Sequence, residues 1–334
     1  MIKNIFLNDK ILLLGGKGMV GSSIKRALYK YEYGKEKNNG IIYTPTRSEL
    51  DLLNENAVKN WFREFRPTVV ILAAAKVGGI YANATYPADF LLENLRIQTN
   101  VIESAWKEGV RRLLFLGSSC IYPKFSHQPI KEDYLLTSDL EVTNECYAIA
   151  KIAGLKLCES LRNQYGFDAL SVMPTNLYGP NDNYHSQNSH VMASFIKKFL
   201  LAKKQKLPSV TCWGTGNALR EFLHVDDLAE AIIFCLENWN PSEINAPRNS
   251  QGKKLNHINI GTGKDISIKN LAKKISEIVE YHGEINWDKS KPDGTPRKIL
   301  DVSLINNLGW EAKIDLDIGI KKTIQDLDIC KLGL

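Results

Sequence analysis

The chain has 334 residues, 44% hydrophobic and 24% charged, a composition that excludes disordered and fibrous proteins. A globular chain of this length buries about 75% of its unfolded surface and outgrows a single core, so two closely joined domains are expected. The surplus of 43 Lys+Arg over 37 Asp+Glu, a net +6, is spread among many acids; the one dense cluster, five lysines between Lys197 and Lys206, reads as a solvated helix face and argues against a nucleic-acid partner.

Read in chain order, residues 10–14 form a buried strand, 21–31 a helix, 40–44 a second strand and 54–65 a second helix. Residues 67–75 are a third buried strand, 88–108 a long helix, 112–117 a fourth strand, 145–164 another long helix and 169–173 a fifth strand. Such alternation means parallel strands with right-handed crossovers, hence an α/β fold with a doubly wound parallel sheet. After Gly179-Pro180 polar loops at 181–189 and 242–254 separate shorter elements. The division expected is a cofactor domain of residues 1–180 of the Rossmann type, to which 220–240 returns, and a smaller C-terminal α/β substrate domain, mainly 181–334. No segment approaches the ~20 apolar residues of a membrane span. Six cysteines, at 120, 146, 158, 212, 235 and 330, show neither CxxC pairing nor zinc spacing. No metal, no disulfide framework and a reducing cytoplasm are therefore expected.

The first motif is Gly15-Gly16-Lys17-Gly18-Met19-Val20-Gly21, a Gly-x-x-Gly-x-x-Gly turn between strand and helix. Glycine lets the backbone approach a ligand closely, and a helix N-terminus offers free N–H groups and partial positive charge to a pyrophosphate. After the second strand, where NAD-binding turns usually carry an acid, stands Arg47. With Lys17 nearby, two cations favour a 2′-phosphate, and so NADPH over NADH. Asp51, just beyond, is placed to accept from the adenine amino group.

The second motif is Tyr147-Ala148-Ile149-Ala150-Lys151. Its spacing puts a phenol and an ammonium on one helix face, where the cation is expected to lower the tyrosine pKa. The third is the turn Leu116-Gly117-Ser118-Ser119-Cys120-Ile121-Tyr122-Pro123 at the end of a strand, the usual ligand position in an open parallel sheet.

Through these motifs, and through segments 73–79, 144–151, 173–180, 188–190, 220–227 and 291–298, nearly the whole sequence resembles the extended short-chain dehydrogenase/reductase family. Within it, the Ser-Ser-Cys turn with Asn188-Ser189-His190 is similar to enzymes that epimerise GDP-4-keto-6-deoxy-D-mannose at C3 and C5. These enzymes then reduce C4 with NADPH, giving GDP-L-fucose. The resemblance implies that Cys120 is the base and His190 the acid of the epimerisations, while Tyr147 and Ser118 bind the C4 oxygen. Lys151 would hold the nicotinamide ribose, and Pro174, Thr175, Asn176 and Leu177, with Leu116 to Ser119 and His190, would line the cofactor. Arg220 is implied at the diphosphate and Lys198, where the family usually has arginine, beside it; Lys17 likewise replaces a usual arginine. Trp213 either stacks on the guanosine end or closes the core, Ser119 either binds or caps the turn, and residues 293–298 close over the nucleotide. The Asp-Glu pair of the family's dehydratases is missing at Ser119-Cys120. A homodimer through a four-helix bundle is implied, although the two long helices also serve as plain cover for the sheet. A different sugar-nucleotide epimerase or reductase, or a catalytically idle scaffold, are the competing readings.

Overall fold

The computed structural model describes residues 4–185, 189–291 and 293–327. Asn188 of the expected Asn-Ser-His motif and Cys330 lie outside the described residues. The first half alternates β1 (Lys10–Leu14), α1 (Met19–Lys30), β2 (Ile41–Tyr43), α2 (Glu55–Phe65) and β3 (Val69–Leu72). A short α3 (Ile80–Thr85) precedes the long α4 (Pro87–Lys107), followed by β4 (Arg112–Leu116), α5 (Glu145–Tyr165) and β5 (Ala169–Pro174). Next come β6 (Asn176–Tyr178), α6 (Val191–Gln205), β7 (Ser209–Trp213), β8 (Leu219–His224), α7 (Val225–Asn238) and β9 (His257–Ile260). The remaining described elements are β10 (Asp265–Ser267), α8 (Ile268–Ile278), β11 (Glu284–Asp288), β12 (Arg297–Lys298), α9 (Ser303–Leu308) and α10 (Leu316–Gln325).

The larger sheet is parallel throughout, in the order β2-β1-β3-β4-β5-β9. β1 shows why its sequence is almost uninterruptedly apolar: Ile11 and Leu13 enter one core layer and Leu12 and Leu14 the other, all fully buried. α1 and α7 cover the first face; α2, α4 and α5 cover the second. A side chain at Gly154 would run into Phe115 and Gln98, so its absence lets α5 lie close on β4 and α4. Strand order reverses between β1 and β3, which opens a crevice at their carboxyl ends.

The smaller unit is organised on β8, paired antiparallel to β10 and parallel to β12 and β6, with β7 and β11 forming a parallel pair beside it. α6, α8 and α10 close it over Phe195, Phe199, Leu271 and Ile275. Here the expected return of 220–240 to the main sheet needs correction. β8 belongs to the smaller sheet, only α7 lies against the larger one, and the added strand is β9. β9 was hidden by its polar residues, which burial does not exclude once they are paired. The amide of Asn259 accepts from the Tyr122 hydroxyl at 2.6 Å and donates to the Ile130 carbonyl at 2.9 Å.

Candidate active site

The glycine turn sits in the crevice between β1 and β3. Gly15 has φ +89°, and a Cβ there would press on the backbone of Ala73 and Ala74. A Cβ on Gly21 would collide with the Gly15 carbonyl, whereas one on Gly18 would meet only that oxygen, at an ordinary 3.5 Å. Gly15 and Gly21 therefore serve protein packing, and Gly18 leaves a face of the turn open. α1 starts at Met19 with no capping side chain and no acid in its first turn, so its N–H groups and positive end remain available to an anion. Val20 packs on the adjoining core. This cradle fits the pyrophosphate of a dinucleotide.

Lys17 and Arg47 are both exposed at the rim of that crevice. Arg47 lies 3.9 Å from Asp51, whose other described bond is from the Leu53 N–H at 3.1 Å. Sequence reasoning passed over Glu49: its carboxylate takes the Thr46 N–H at 2.7 Å and lies within the field of Lys17. The rim thus carries acids as well as cations.

β4 ends at Leu116 and delivers Gly117 and the Ser118 turn. The Ser118 hydroxyl accepts the Cys120 N–H at 3.2 Å, so Ser118 caps this turn and the capping role considered for Ser119 falls to its neighbour. Ser119 is buried within the turn and Cys120 half-buried. α5 brings Tyr147 and Lys151 alongside. The Lys151 ammonium is buried, donates to the Leu116 carbonyl at 2.8 Å and lies 5.9 Å from the centre of the Tyr147 ring. Burial lowers Lys151 to about 7. The Tyr147 phenol is pushed up, first by burial and then by the charge available to Cys120, while the Ser118 hydroxyl pulls the other way. The expected lowering of Tyr147 by Lys151 is thus reversed in the structure, because desolvation and Cys120 together outweigh the Ser118 hydroxyl.

Pro174, Thr175, Asn176 and Leu177 span the step from β5 to β6, at the carboxyl end of the larger sheet. Asn176 is fixed by donating to the Glu221 carbonyl at 2.8 Å, and the Thr175 N–H bonds Ile260 at 3.0 Å. His190 opens α6 at its N-cap. Its side chain keeps exposed surface, yet the protein around it lowers its pKa from the ordinary histidine value by desolvation. No described contact ties it to Cys120 or Tyr147.

Trp213, at the end of β7, is 53% exposed, which removes the core-closing alternative. Lys198 and Lys291 stand 5.7 and 5.6 Å from its ring centre, a cation–π arrangement. Lys198 also donates to the Thr211 carbonyl at 3.1 Å. Arg220 is half-buried and donates to the Leu219 and Asp293 carbonyls at 2.8 and 3.2 Å. The Asp293 carboxylate itself takes both donors of Thr215 at 2.7 Å, tying the 293–298 segment to the smaller unit.

Two further residues were seen in the sequence only as parts of a matching segment. The Asn144 amide donates to the Cys120 sulfur at 3.4 Å, and the Lys298 ammonium lies 3.5 Å from the same atom. Neither helical spacing nor composition links residues 24 and 178 positions from the cysteine; only the fold does. Among the described residues no cluster of three or more His, Cys, Asp or Glu is placed to hold a metal ion.

The family described as "NAD dependent epimerase/dehydratase family" matches residues 11–261. Among proteins similar to this chain, GDP-L-fucose synthase 1 of Arabidopsis thaliana is 51% identical over 314 residues, covering 94% of this chain and 91% of that protein. GDP-L-fucose synthase of Escherichia coli (strain K12) is 50% identical over 317 residues, covering 95% and 96%. Among solved structures, the GDP-mannoheptose C4 reductase of Campylobacter jejuni with NADP bound superposes with a TM-score of 0.85 at 37% identity, covering 96% of this chain and 99% of that one.

Proposed function

The chain belongs to the NAD dependent epimerase/dehydratase family, and within it we propose that it converts GDP-4-keto-6-deoxy-D-mannose to GDP-L-fucose, by epimerisation at C3 and C5 and reduction at C4. It is an NADP-dependent oxidoreductase and epimerase acting on a GDP-sugar. The observation that carries this reading is the convergence of Ser118, Cys120, Tyr147 and Lys151 at the end of β4: one turn supplies Ser118 and the thiol, and α5 brings Tyr147 and Lys151 against it.

The C4 ketone acidifies the hydrogens at C3 and C5. We assign Cys120 as the base that takes such a proton, leaving an enolate whose oxygen is held by the Tyr147 and Ser118 hydroxyls. His190 returns a proton to the opposite face; the anionic enolate favours the protonated ring that desolvation alone disfavours. For reduction, NADPH supplies hydride. Tyr147 then gives its proton to the C4 oxygen, and its raised pKa keeps the phenol protonated for that step. Lys151, anchored on Leu116, orients the ribose beside Tyr147. Lys17 and Arg47 meet the 2′-phosphate, while Lys198, Trp213 and Arg220 hold the nucleotide diphosphate and base.

The test supplies the keto sugar in deuterated water, first without reductant. Solvent deuterium is expected at C3 and C5, then NADPH oxidation and GDP-L-fucose once the cofactor is added. NADPH consumption without exchange would mean a plain C4 reductase; undiminished exchange in Cys120→Ser would overturn the assigned base.

We also propose a homodimer through the outer faces of α4 and α5, which leave Leu92 and Ile149 exposed. A cytoplasmic location is proposed from the five described cysteines, all of them free thiols. No helix among the described residues is long and apolar enough to cross a membrane.

A further inference from the structure

We propose that Lys298 is the counter-ion of the Cys120 thiolate and thereby a positioning residue for proton removal at C3 and C5, an inference that rests on the reaction proposed above. Among the described residues, the sulfur of Cys120 is the one side-chain group within hydrogen-bonding reach of the Lys298 ammonium, at 3.5 Å. Asn144 donates to the same sulfur at 3.4 Å from the start of α5. Among the described residues two donors and no acceptor meet at this sulfur, an arrangement that suits a thiolate.

Lys298 is placed there by its backbone. β12 pairs with β8 in the register Lys298 to Arg220. The next two residues are pinned in turn: the Ile299 N–H bonds the Gln128 side chain at 2.9 Å, and the Leu300 N–H bonds the Glu221 carboxylate at 2.8 Å. The competing acid in the same small cavity is Glu141, and it is occupied by Lys124 at 2.9 Å. Lys298 is thus left facing the sulfur. Of the other charged or titratable groups around Cys120, Arg220 adds positive charge from β8 and donates to the Leu219 and Asp293 carbonyls, and Tyr147 stands opposite as a neutral phenol.

A free thiol is only a few per cent ionised at neutral pH, and a neighbouring ammonium raises that fraction. In the step itself the substrate C–H bond breaks and an S–H bond forms. The carbon's electron pair moves to the C4 oxygen, so the negative charge leaves the sulfur for the enolate. Protonation from His190 then re-forms the C–H bond, and Cys120 and His190 return to their starting states by exchange with water.

The free protein provides the first test, since alkylation by iodoacetamide reads the thiolate without substrate. Cys120 is followed by peptide mass from pH 5.5 to 9. Lys298→Met is expected to slow alkylation severalfold at pH 7, and Lys298→Gln to do the same. Lys298→Arg, which keeps the charge, should stay near the wild type. With the keto sugar, Lys298→Met should reduce deuterium exchange at least ten times more than it reduces NADPH-driven reduction of the already epimerised 4-keto sugar. An unmoved alkylation profile in both neutral variants, or exchange and reduction falling in step, overturns the proposal. If the wild type shows no exchange at all, the proposed reaction fails, while the alkylation profile still decides whether Lys298 serves Cys120.

Discussion

The Glu221 carboxylate accepts the Leu300 N–H at 2.8 Å, and with it the N–H groups of Thr262 at 2.5 Å and Gly263 at 2.8 Å. It is fully buried on β8, so three strand-end donors depend on one side chain. Glu221→Ala leaves them without a partner in a dry site and is expected to cost about 3 kcal/mol or more. Glu221→Gln keeps one acceptor oxygen and should cost about half that. Urea unfolding of both variants measures the difference, and equal stability for Ala and wild type would show that water replaces the carboxylate.

Glu132 gives a prediction in pH. It is buried, accepts the Asn259 N–H at 2.8 Å, and is raised by burial from 4.5 to about 7. A raised folded-state value stabilises the fold below the unfolded value and loses that contribution as pH rises through the folded one. Relative to Glu132→Gln, the wild type should therefore lose up to about 3 kcal/mol between pH 4.5 and 7.5. Paired denaturation curves at the two pH values test the sign. A wild type that gains stability over Glu132→Gln as pH rises contradicts it.

Lys151 sets stability against activity. Burial lowers it to about 7, so its folded-state value is depressed, and its contribution is present above the unfolded value and lost as pH falls through 7. Lys151→Met is expected to stabilise the protein by a few kcal/mol at pH 6 and by less at pH 9, measured without cofactor. The same variant should lose NADPH-driven reduction by about 10²-fold or more. Destabilisation at pH 6 would mean that the bond to Leu116 outweighs the desolvation of the ammonium.

The glycines of the first turn separate folding from binding. Gly21→Ala places a methyl against the Gly15 carbonyl and should cost about 3 kcal/mol or more. Gly18→Ala meets only an ordinary contact and should fold within about 1 kcal/mol of the wild type while binding NADPH more weakly. Thermal melts with and without NADPH distinguish the two. Unchanged cofactor binding in Gly18→Ala would show that the open face of the turn is not the ligand's.

The glycine turn and the Tyr147–Lys151 pair of the candidate site were legible because their signals are local. β1 is apolar on both faces, the glycines stand at fixed offsets, and Tyr147 and Lys151 are one helical turn apart. β9 was not, since His257 and Asn259 resemble a loop until Tyr122 and Ile130 are seen to satisfy the asparagine. The reversal at Tyr147 was equally unreadable: spacing reports that a cation is near, not how much water both groups lose. Lys298 reaches Cys120 only through the pairing of β12 with β8, a contact between distant segments that no window of sequence contains.

That pairing belongs to a wider pattern in which the chain passes repeatedly between the two sheets: β5 to β6, β8 to α7, β9 to β10, then β12 to α9, which lies against β9. Neither half is a detachable cassette. A gene fragment stopping near residue 180 would encode a larger sheet with β5 as a raw edge and one face stripped of α7, a template for aggregation rather than a cofactor-binding module. Recombination between relatives would have to exchange the nucleotide end and the sugar end together, or change specificity one loop at a time.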